Sequence, residues 1–235
     1  MTHFDYTLEG PIGTRATLGL VVLQTDETIE HDFRQTFTQD GVALYVSRVP
    51  NATDVNHETL SAMSDALPTA TGLFPEALSF DVVGYGCTSG SAVIGPEQIT
   101  RQVKAGCSTT HVTNPLSALV AICAHHKVNR LGLLSPYVES VSQTLRDALA
   151  SEGIKTPVFG SFDEGDDSKV ARISKASLYD AAMQVGASQD NEAVFLSCTN
   201  LRTLAVIPEI ERDLGKPVFS SNQALAWHMG HLAGL

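Results

Sequence analysis

An apolar run leads directly into a cysteine at Phe80-Asp-Val-Val-Gly-Tyr-Gly-Cys-Thr-Ser-Gly90. The same arrangement returns downstream as Ala193-Val-Phe-Leu-Ser-Cys-Thr-Asn200. Short, continuous apolar runs are typical of strands that are buried on both faces of a parallel sheet. The sequence therefore predicts that Cys87 and Cys198 each leave a buried strand and enter a turn.

Similar apolar runs alternate with segments of helical periodicity along the rest of the chain. The sequence predicts strands over residues 17–24, 42–48, 80–86, 109–113, 130–135, 156–160, 193–197 and 217–220. Helices are predicted around Ile29, over residues 138–152 and over residues 168–186. Alternation of this kind predicts an α/β fold with parallel sheets.

An internal repeat relates the two halves of the chain. Leu18-Gly-Leu-Val21 resembles Leu131-Gly-Leu-Leu134, and the following cysteine lies 69 positions after Leu18 and 67 positions after Leu131. We expect one lobe of residues 1–115 plus 217–235, which carries Cys87, and one of residues 116–216, which carries Cys198. Because ligands bind at the carboxyl ends of parallel strands, both cysteines should face one cleft.

The charge and cysteine content narrow the possible partners and location. The 235 residues carry a formal net charge of −11, which disfavours nucleic acid and anionic membrane surfaces as partners. The N-terminal residues do not resemble a signal peptide and no run has membrane-spanning length, so we expect a cytoplasmic protein. Without a signal peptide, the four cysteines are expected to be reduced thiols. None of them lies in a C-x-x-C pair, so we expect no metal site.

Each cysteine turn carries residues suited to begin a helix, namely Thr88, Ser89, Thr199 and Asn200. A helix N-terminus stabilises thiolate, so the pKa of each neighbouring thiol is predicted to be lowered. The N–H groups of the same turns could bind a substrate carboxylate. A thiolate and a thiol on opposite faces of one carbon could move a proton without a cofactor, or add to an activated double bond.

Cys107 and Cys123 follow no strand into such a turn, so both are predicted to be structural. His228 and His231 lie three apart in the last predicted helix, where packing or a surface role is expected. The segment from Asp163 to Asp167 is typical, on local grounds, of a solvated acidic loop.

The motifs GCTSGS (86–91) and SCTNLR (197–202) resemble the paired cysteine motifs of the aspartate/glutamate racemase superfamily. Within it, the chain is most similar to the group of maleate cis–trans isomerases, arylmalonate decarboxylases and ectoine-utilisation protein A. The resemblance runs over nearly the whole chain. It implies two Rossmann-like lobes related by a pseudo-two-fold axis, each a small parallel sheet flanked by helices. It also implies a site between the lobes, no cofactor and a homo-oligomer.

By position, the polar and tyrosine site residues of the maleate isomerases fall on Asp26, Tyr137 and Asp167. Those enzymes have asparagine at the first and third of these positions, whereas this chain has aspartate at both. An ionised aspartate only accepts hydrogen bonds and repels an anion. The resemblance therefore favours a ligand with a cationic amino or amidine group beside its carboxylate over a dicarboxylate such as maleate. Arylmalonate decarboxylases keep only the later cysteine, so retention of Cys87 favours two-base isomerisation.

The resulting hypothesis is a cofactor-independent isomerase or racemase of a small amino- or amidino-carboxylate, as in ectoine-type catabolism. Cys87 and Cys198 are the predicted acid–base or nucleophile pair. Tyr137 is predicted to hydrogen-bond the substrate, and Asp26 or Asp167 to hold its positive group. The alternatives are a maleate-type isomerase or arylmalonate-type decarboxylase, and a non-catalytic ligand-binding or thiol-redox protein.

Overall fold

The computed structural model describes residues 1–235, which form eight strands and ten helices. The strands are β1 Ala16–Leu23, β2 Val42–Val49, β3 Phe80–Gly86, β4 Thr109–Thr113, β5 Arg130–Ser135, β6 Lys155–Ser161, β7 Ala193–Leu196 and β8 Val218–Ser220. The helices are α1 Ile29–Thr36, α2 His57–Thr71, α3 Thr88–Ile94, α4 Pro96–Gly106, α5 Pro115–His126, α6 Glu139–Ser151, α7 Asp167–Val170, α8 Lys175–Gly186, α9 Ile207–Leu214 and α10 Ser221–Leu232.

The strands form two parallel four-stranded sheets with the same order of strands. The first sheet has the order β2-β1-β3-β4 and the second has the order β6-β5-β7-β8. The repeated Leu-Gly-Leu segments lie in β1 and β5, at equivalent positions of the two sheets. The predicted α/β fold of two small, helix-flanked parallel sheets is confirmed.

The repeated glycines explain how closely these sheets pack against their neighbours. A Cβ atom on Gly19 would lie 2.9 Å from Val83 Cγ2, and one on Gly132 would lie 2.6 Å from Asn191 Nδ2. Both distances are too short for a side chain, so the repeat keeps glycine where another group approaches the strand.

The apolar cores extend across both lobes. One cluster joins Val83 and Leu67 of the first lobe to Leu196 and Leu178 of the second. Because the two lobes share buried apolar surface, the carboxyl ends of their strands are held in a fixed relation to each other.

Two predicted boundaries differ from the structure. β8 pairs with β7, so this strand belongs to the second sheet, although α10, which follows it, packs against β3 and β4 of the first. The helix predicted over residues 168–186 is two helices, α7 and α8. The second begins because the Ser174 side chain accepts a hydrogen bond from the Ser177 N–H.

None of the ten helices combines the length and the hydropathy that are needed to cross a lipid bilayer.

Candidate active site

The residues predicted to form the site follow the carboxyl ends of four strands and meet in one place. Asp26 follows β1, Cys87 follows β3, Tyr137 follows β5 and Cys198 follows β7. The Tyr137 hydroxyl lies 3.1 Å from Cys198 Sγ and donates to Asp167 Oδ1 at 2.6 Å. Cys87 of the first lobe lines a small cavity with Tyr137 and Asp167 of the second, and the Thr25 hydroxyl donates to Asp167 Oδ2 at 2.6 Å. The tertiary fold therefore brings both lobes to one buried polar cluster.

Cys87 is itself the residue that caps α3. Its Sγ accepts a hydrogen bond from the Gly90 N–H at 3.2 Å. Thr88 and Ser89, which were predicted to cap the helix, are instead its first and second residues. Burial nevertheless raises the pKa of the Cys87 thiol from its ordinary 9.0 to about 12, and Asp167 raises it further against the Gly90 hydrogen bond. The predicted lowering of this pKa is wrong, because desolvation outweighs the helix N-terminus.

Cys198 lies in a turn that no helix follows. The next helix, α9, begins only at Ile207, so the prediction that Thr199 and Asn200 cap a helix is wrong. Cys198 Sγ accepts from the Asn200 N–H at 3.3 Å instead. Burial, followed by the charge of Asp167, raises the pKa of the Cys198 thiol well above its ordinary value, which again reverses the prediction.

The backbone of Cys198 is strained, with φ of +108°. Side chains other than glycine rarely adopt positive φ, and such residues concentrate at functional sites. The Cys198 N–H donates to Ser221 Oγ at 3.0 Å, which helps to hold this conformation.

Tyr137 links Cys198 to Asp167. A tyrosine hydroxyl has one proton, and Tyr137 donates it to Asp167, so the tyrosine oxygen accepts the hydrogen bond from Cys198. Cys198 is therefore a protonated thiol in this arrangement, in agreement with the raised pKa.

Asp167 has no free carboxylate oxygen. Its Oδ2 accepts from the Thr25 hydroxyl at 2.6 Å and from Asn200 Nδ2 at 3.1 Å, while Oδ1 accepts from Tyr137. Asn200 is equally occupied, because its Oδ1 accepts from the Glu27 N–H at 2.8 Å. The Asn200 side chain thus joins the two lobes, and its amide is not free to bind a ligand as predicted.

Asp26 is the carboxylate with unused hydrogen-bonding capacity. Its Oδ1 accepts from the N–H groups of Thr28 and Ile29 at 2.7 and 2.8 Å, whereas the buried Oδ2 has no partner. Burial raises the pKa of Asp26 from its ordinary 3.8 to about 6, although these two hydrogen bonds lower it. Of the two aspartates, only Asp26 has a carboxylate oxygen without a hydrogen-bond partner in the protein, although Asp167 is the one that lines the small cavity described below.

Donors for a carboxylate come mainly from the backbone. The Thr88 hydroxyl donates to Ser221 Oγ at 2.7 Å, and the Thr199 hydroxyl donates to the Gly86 carbonyl at 3.3 Å. The N–H groups of Thr88, Ser89 and Thr199 and the Ser89 hydroxyl donate to no protein acceptor. These four groups are the ones that could bind a ligand oxygen.

A small cavity of about 20 Å³ lies against the cluster. Its lining includes Leu23, Asn51, Ala52, Asp54, Val55, Thr59, Leu60, Met63, Cys87, Ser89, Tyr137 and Asp167, with no Lys, Arg or His among them. Four of the lining residues come from the segment 51–55, which is tied to the second lobe because the Val55 N–H donates to the Gly165 carbonyl at 3.2 Å. The space holds about one water molecule.

Metal ligation has no support in the side-chain arrangement, because no group of three or more His, Cys, Asp or Glu residues is placed to hold an ion.

Ser221 is a site residue that sequence reasoning missed. Its Oγ accepts from both Thr88 Oγ1 and the Cys198 N–H, and so it connects the two cysteine turns. A signal was present, because Ser221 follows the predicted strand 217–220 in the same way that the cysteines follow theirs.

Comparison with known proteins gives a consistent set of relatives. The sequence model of the arylmalonate decarboxylase family matches residues 94–235. An arylmalonate decarboxylase of Bordetella bronchiseptica is 36% identical over 127 residues, which span 54% of this chain and 51% of that protein. A maleate isomerase of Pseudomonas putida is 21% identical over 225 residues, or 90% of this chain and 89% of that protein.

The fold is also shared with a solved maleate cis–trans isomerase of Nocardia farcinica. This structure is of a cysteine-to-serine mutant with a covalently bound succinylcysteine intermediate. It superposes with a TM-score of 0.84 at 22% identity and covers 94% of this chain and 93% of that one.

Proposed function

The chain belongs to the arylmalonate decarboxylase family, and from this premise we propose that it is a cofactor-independent isomerase of a small amino- or amidino-carboxylate. One observation carries the proposal: Cys87 lines a cavity with Asp54, Tyr137 and Asp167 and with no basic side chain, and Tyr137 contacts the second buried thiol, that of Cys198, at 3.1 Å. Such a pocket favours a ligand that brings its own positive charge.

A cationic ligand would also activate the site. Burial and the two aspartates raise the pKa of both thiols. A positive group beside the unpartnered Oδ2 of Asp26 would lower both values, because an opposite charge nearby favours the thiolate. The substrate would thus create the base that attacks it.

The proposed reaction neither gains nor loses a proton overall. The thiolate of one cysteine removes the proton from the carbon next to the carboxylate, and the thiol of the other protonates the opposite face of the carbanion. The first cysteine ends as a thiol and the second as a thiolate, so the enzyme is left ready for the reverse reaction. The N–H groups of Thr88, Ser89 and Thr199 would stabilise the charge that develops on the carboxylate.

The test is a panel assay by NMR in D₂O. The panel contains single enantiomers of amino acids, cyclic amidine carboxylates of the ectoine type, maleate and arylmalonates. We expect exchange and racemisation of an amino- or amidino-carboxylate by the wild type. Cys87→Ser and Cys198→Ser should each lose racemisation but still exchange one enantiomer, while Cys107→Ser serves as the matched control. The two-thiol mechanism is wrong if both site variants racemise at the wild-type rate.

A second candidate is a maleate-type isomerase. The whole-length match to maleate isomerases and the retention of two cysteines favour it. In the Nocardia enzyme the intermediate is a succinylcysteine, which is consistent with addition of a thiolate to the double bond. Formation of fumarate from maleate in the same panel would establish this function, and release of carbon dioxide from an arylmalonate would establish a decarboxylase.

A further inference from the structure

A larger cavity, of about 390 Å³, lies between α1 and α10. It is lined by six residues of α10 and by Asp32, Thr36, Phe37, Gln39, Leu204 and Leu235. It shares no lining residue with the small cavity at Cys87. Its volume is within the range of pockets that hold small organic ligands.

Asp32 places a buried carboxylate in the wall of this cavity. The residue is only 5% exposed, and its Oδ2 accepts from Asn222 Nδ2 at 2.8 Å. Its Oδ1 has no hydrogen-bond partner in the protein and Asp32 makes no salt bridge. Although the residue is buried, Oδ1 is not one of the atoms that are closed off from solvent, so this oxygen is free to accept from a donor in the cavity.

The adjacent Asn222 shows the same shortage of donors. Its Nδ2 is shared between Asp32 and the Thr199 carbonyl, and its buried Oδ1 has no partner. The lining contains no Lys or Arg, and its only other ionisable side chain is His231. This corner of the cavity is therefore rich in acceptors and poor in donors.

Aromatic side chains form another part of the wall of this cavity. Phe37, Trp227 and His231 all line it, and the His231 ring stacks on one face of Trp227, with centroids 5.6 Å apart and planes 7° apart. Aromatic faces attract organic cations, most strongly when the cation is removed from water.

We propose that this cavity binds a small organic cation, an ammonium with an aromatic or apolar body, through Asp32 and the aromatic wall of Phe37 and Trp227. The N–H groups of the ammonium supply the donors that Asp32 lacks, and its body fills the space beside the rings. This site is separate from the cysteine site and is independent of the proposed reaction. It lies one hydrogen bond from the Cys198 turn, because Asn222 contacts both Asp32 and Thr199.

Trp227 makes the binding directly measurable, because it is the single tryptophan of the chain. The probe is benzylammonium titrated into the wild-type protein at pH 8, with tryptophan fluorescence as the signal. Benzyl alcohol and phenylacetate are the neutral and anionic controls. We expect a saturable change with the cation alone. An equal response to benzyl alcohol, or no saturable response to benzylammonium, overturns the proposal.

Two kinds of variant assign the binding to this cavity. Asp32→Asn should weaken it roughly tenfold to a hundredfold, because a hydrogen bond to a charged group is lost. Gly230→Leu should abolish binding by filling the cavity without touching Asp32. Gly230→Ala is its matched control, since a Cβ there would make only ordinary contacts, 3.8 Å from Phe37 and 4.0 Å from Leu235. Unchanged affinity in a folded Asp32→Asn or Gly230→Leu protein, checked by circular dichroism, contradicts the assignment.

Discussion

Replacing Asp26 by asparagine should make the protein more stable at neutral pH while it impairs the site. The pKa of this carboxyl is raised from 3.8 to about 6, so the folded state favours the protonated form. Its stabilising contribution is present below pH 3.8 and is lost as the pH rises through 6. At 1.36 kcal/mol per pH unit, the free energy of unfolding that is lost relative to the fully protonated carboxyl is about 3 kcal/mol at pH 7.5 and about 1 kcal/mol at pH 4.5.

Asparagine keeps an oxygen that can accept from the Thr28 and Ile29 N–H groups, but it carries no charge. The stability gain of Asp26→Asn over the wild type should therefore grow by about 2 kcal/mol between pH 4.5 and pH 7.5. For a chain of this length, that corresponds to a widening of the difference in Tm by roughly 4–8 °C.

The assay is thermal unfolding of both proteins at a series of pH values across this range. Asp40→Asn is the control, because Asp40 is exposed and its substitution removes the same charge from the surface. The reasoning is refuted if Asp26→Asn is no more stable than the wild type at pH 7.5, or if its advantage is the same at both ends of the range.

Three further predictions concern the cysteine turns. Cys87 should react with iodoacetamide at pH 8 roughly a thousandfold more slowly in the folded protein than after unfolding in urea, because its pKa is raised from 9.0 to about 12. Peptide mass spectrometry measures both rates, and fast labelling of the folded form would contradict the raised pKa. Ser221→Ala should reduce the free energy of unfolding by about 1–3 kcal/mol, since Thr88 Oγ1 and the Cys198 N–H both lose their acceptor. An unchanged urea midpoint would show that Ser221 does not position these two groups. Cys198→Gly should be about 1–2 kcal/mol more stable than Cys198→Ala in thermal unfolding, because glycine tolerates the φ of +108°; the reverse order would mean that this backbone is not strained.

All eight strands lie within two residues of the positions predicted from sequence, and the physical reason is their burial. A parallel strand covered on both faces needs a continuous apolar run, and all eight residues of β1 are buried. The same rule placed Cys87 and Cys198 at strand ends, because chemistry in this fold collects at the carboxyl edges of the sheets.

Hydrogen bonds between residues that are far apart in the sequence could not be predicted in this way. Thr25 meets Asp167 across 142 positions and Thr88 meets Ser221 across 133, so no local pattern connects them. The membership of β8 in the second sheet was hidden for the same reason, since three residues can pair with either edge until the helices pack.

The protonation of the thiols depended on tertiary structure most of all. A cysteine that precedes capping residues carries a local signal for a lowered pKa, and that signal is present at Cys87. The opposite direction follows from burial of both sulfurs near two carboxylates from other segments. Sequence therefore determined where each strand and each sulfur lies along the chain, because burial on two faces leaves a local pattern. Folding decided which groups share a low-dielectric space, because desolvation and charge interactions depend on distances that only the packed chain defines.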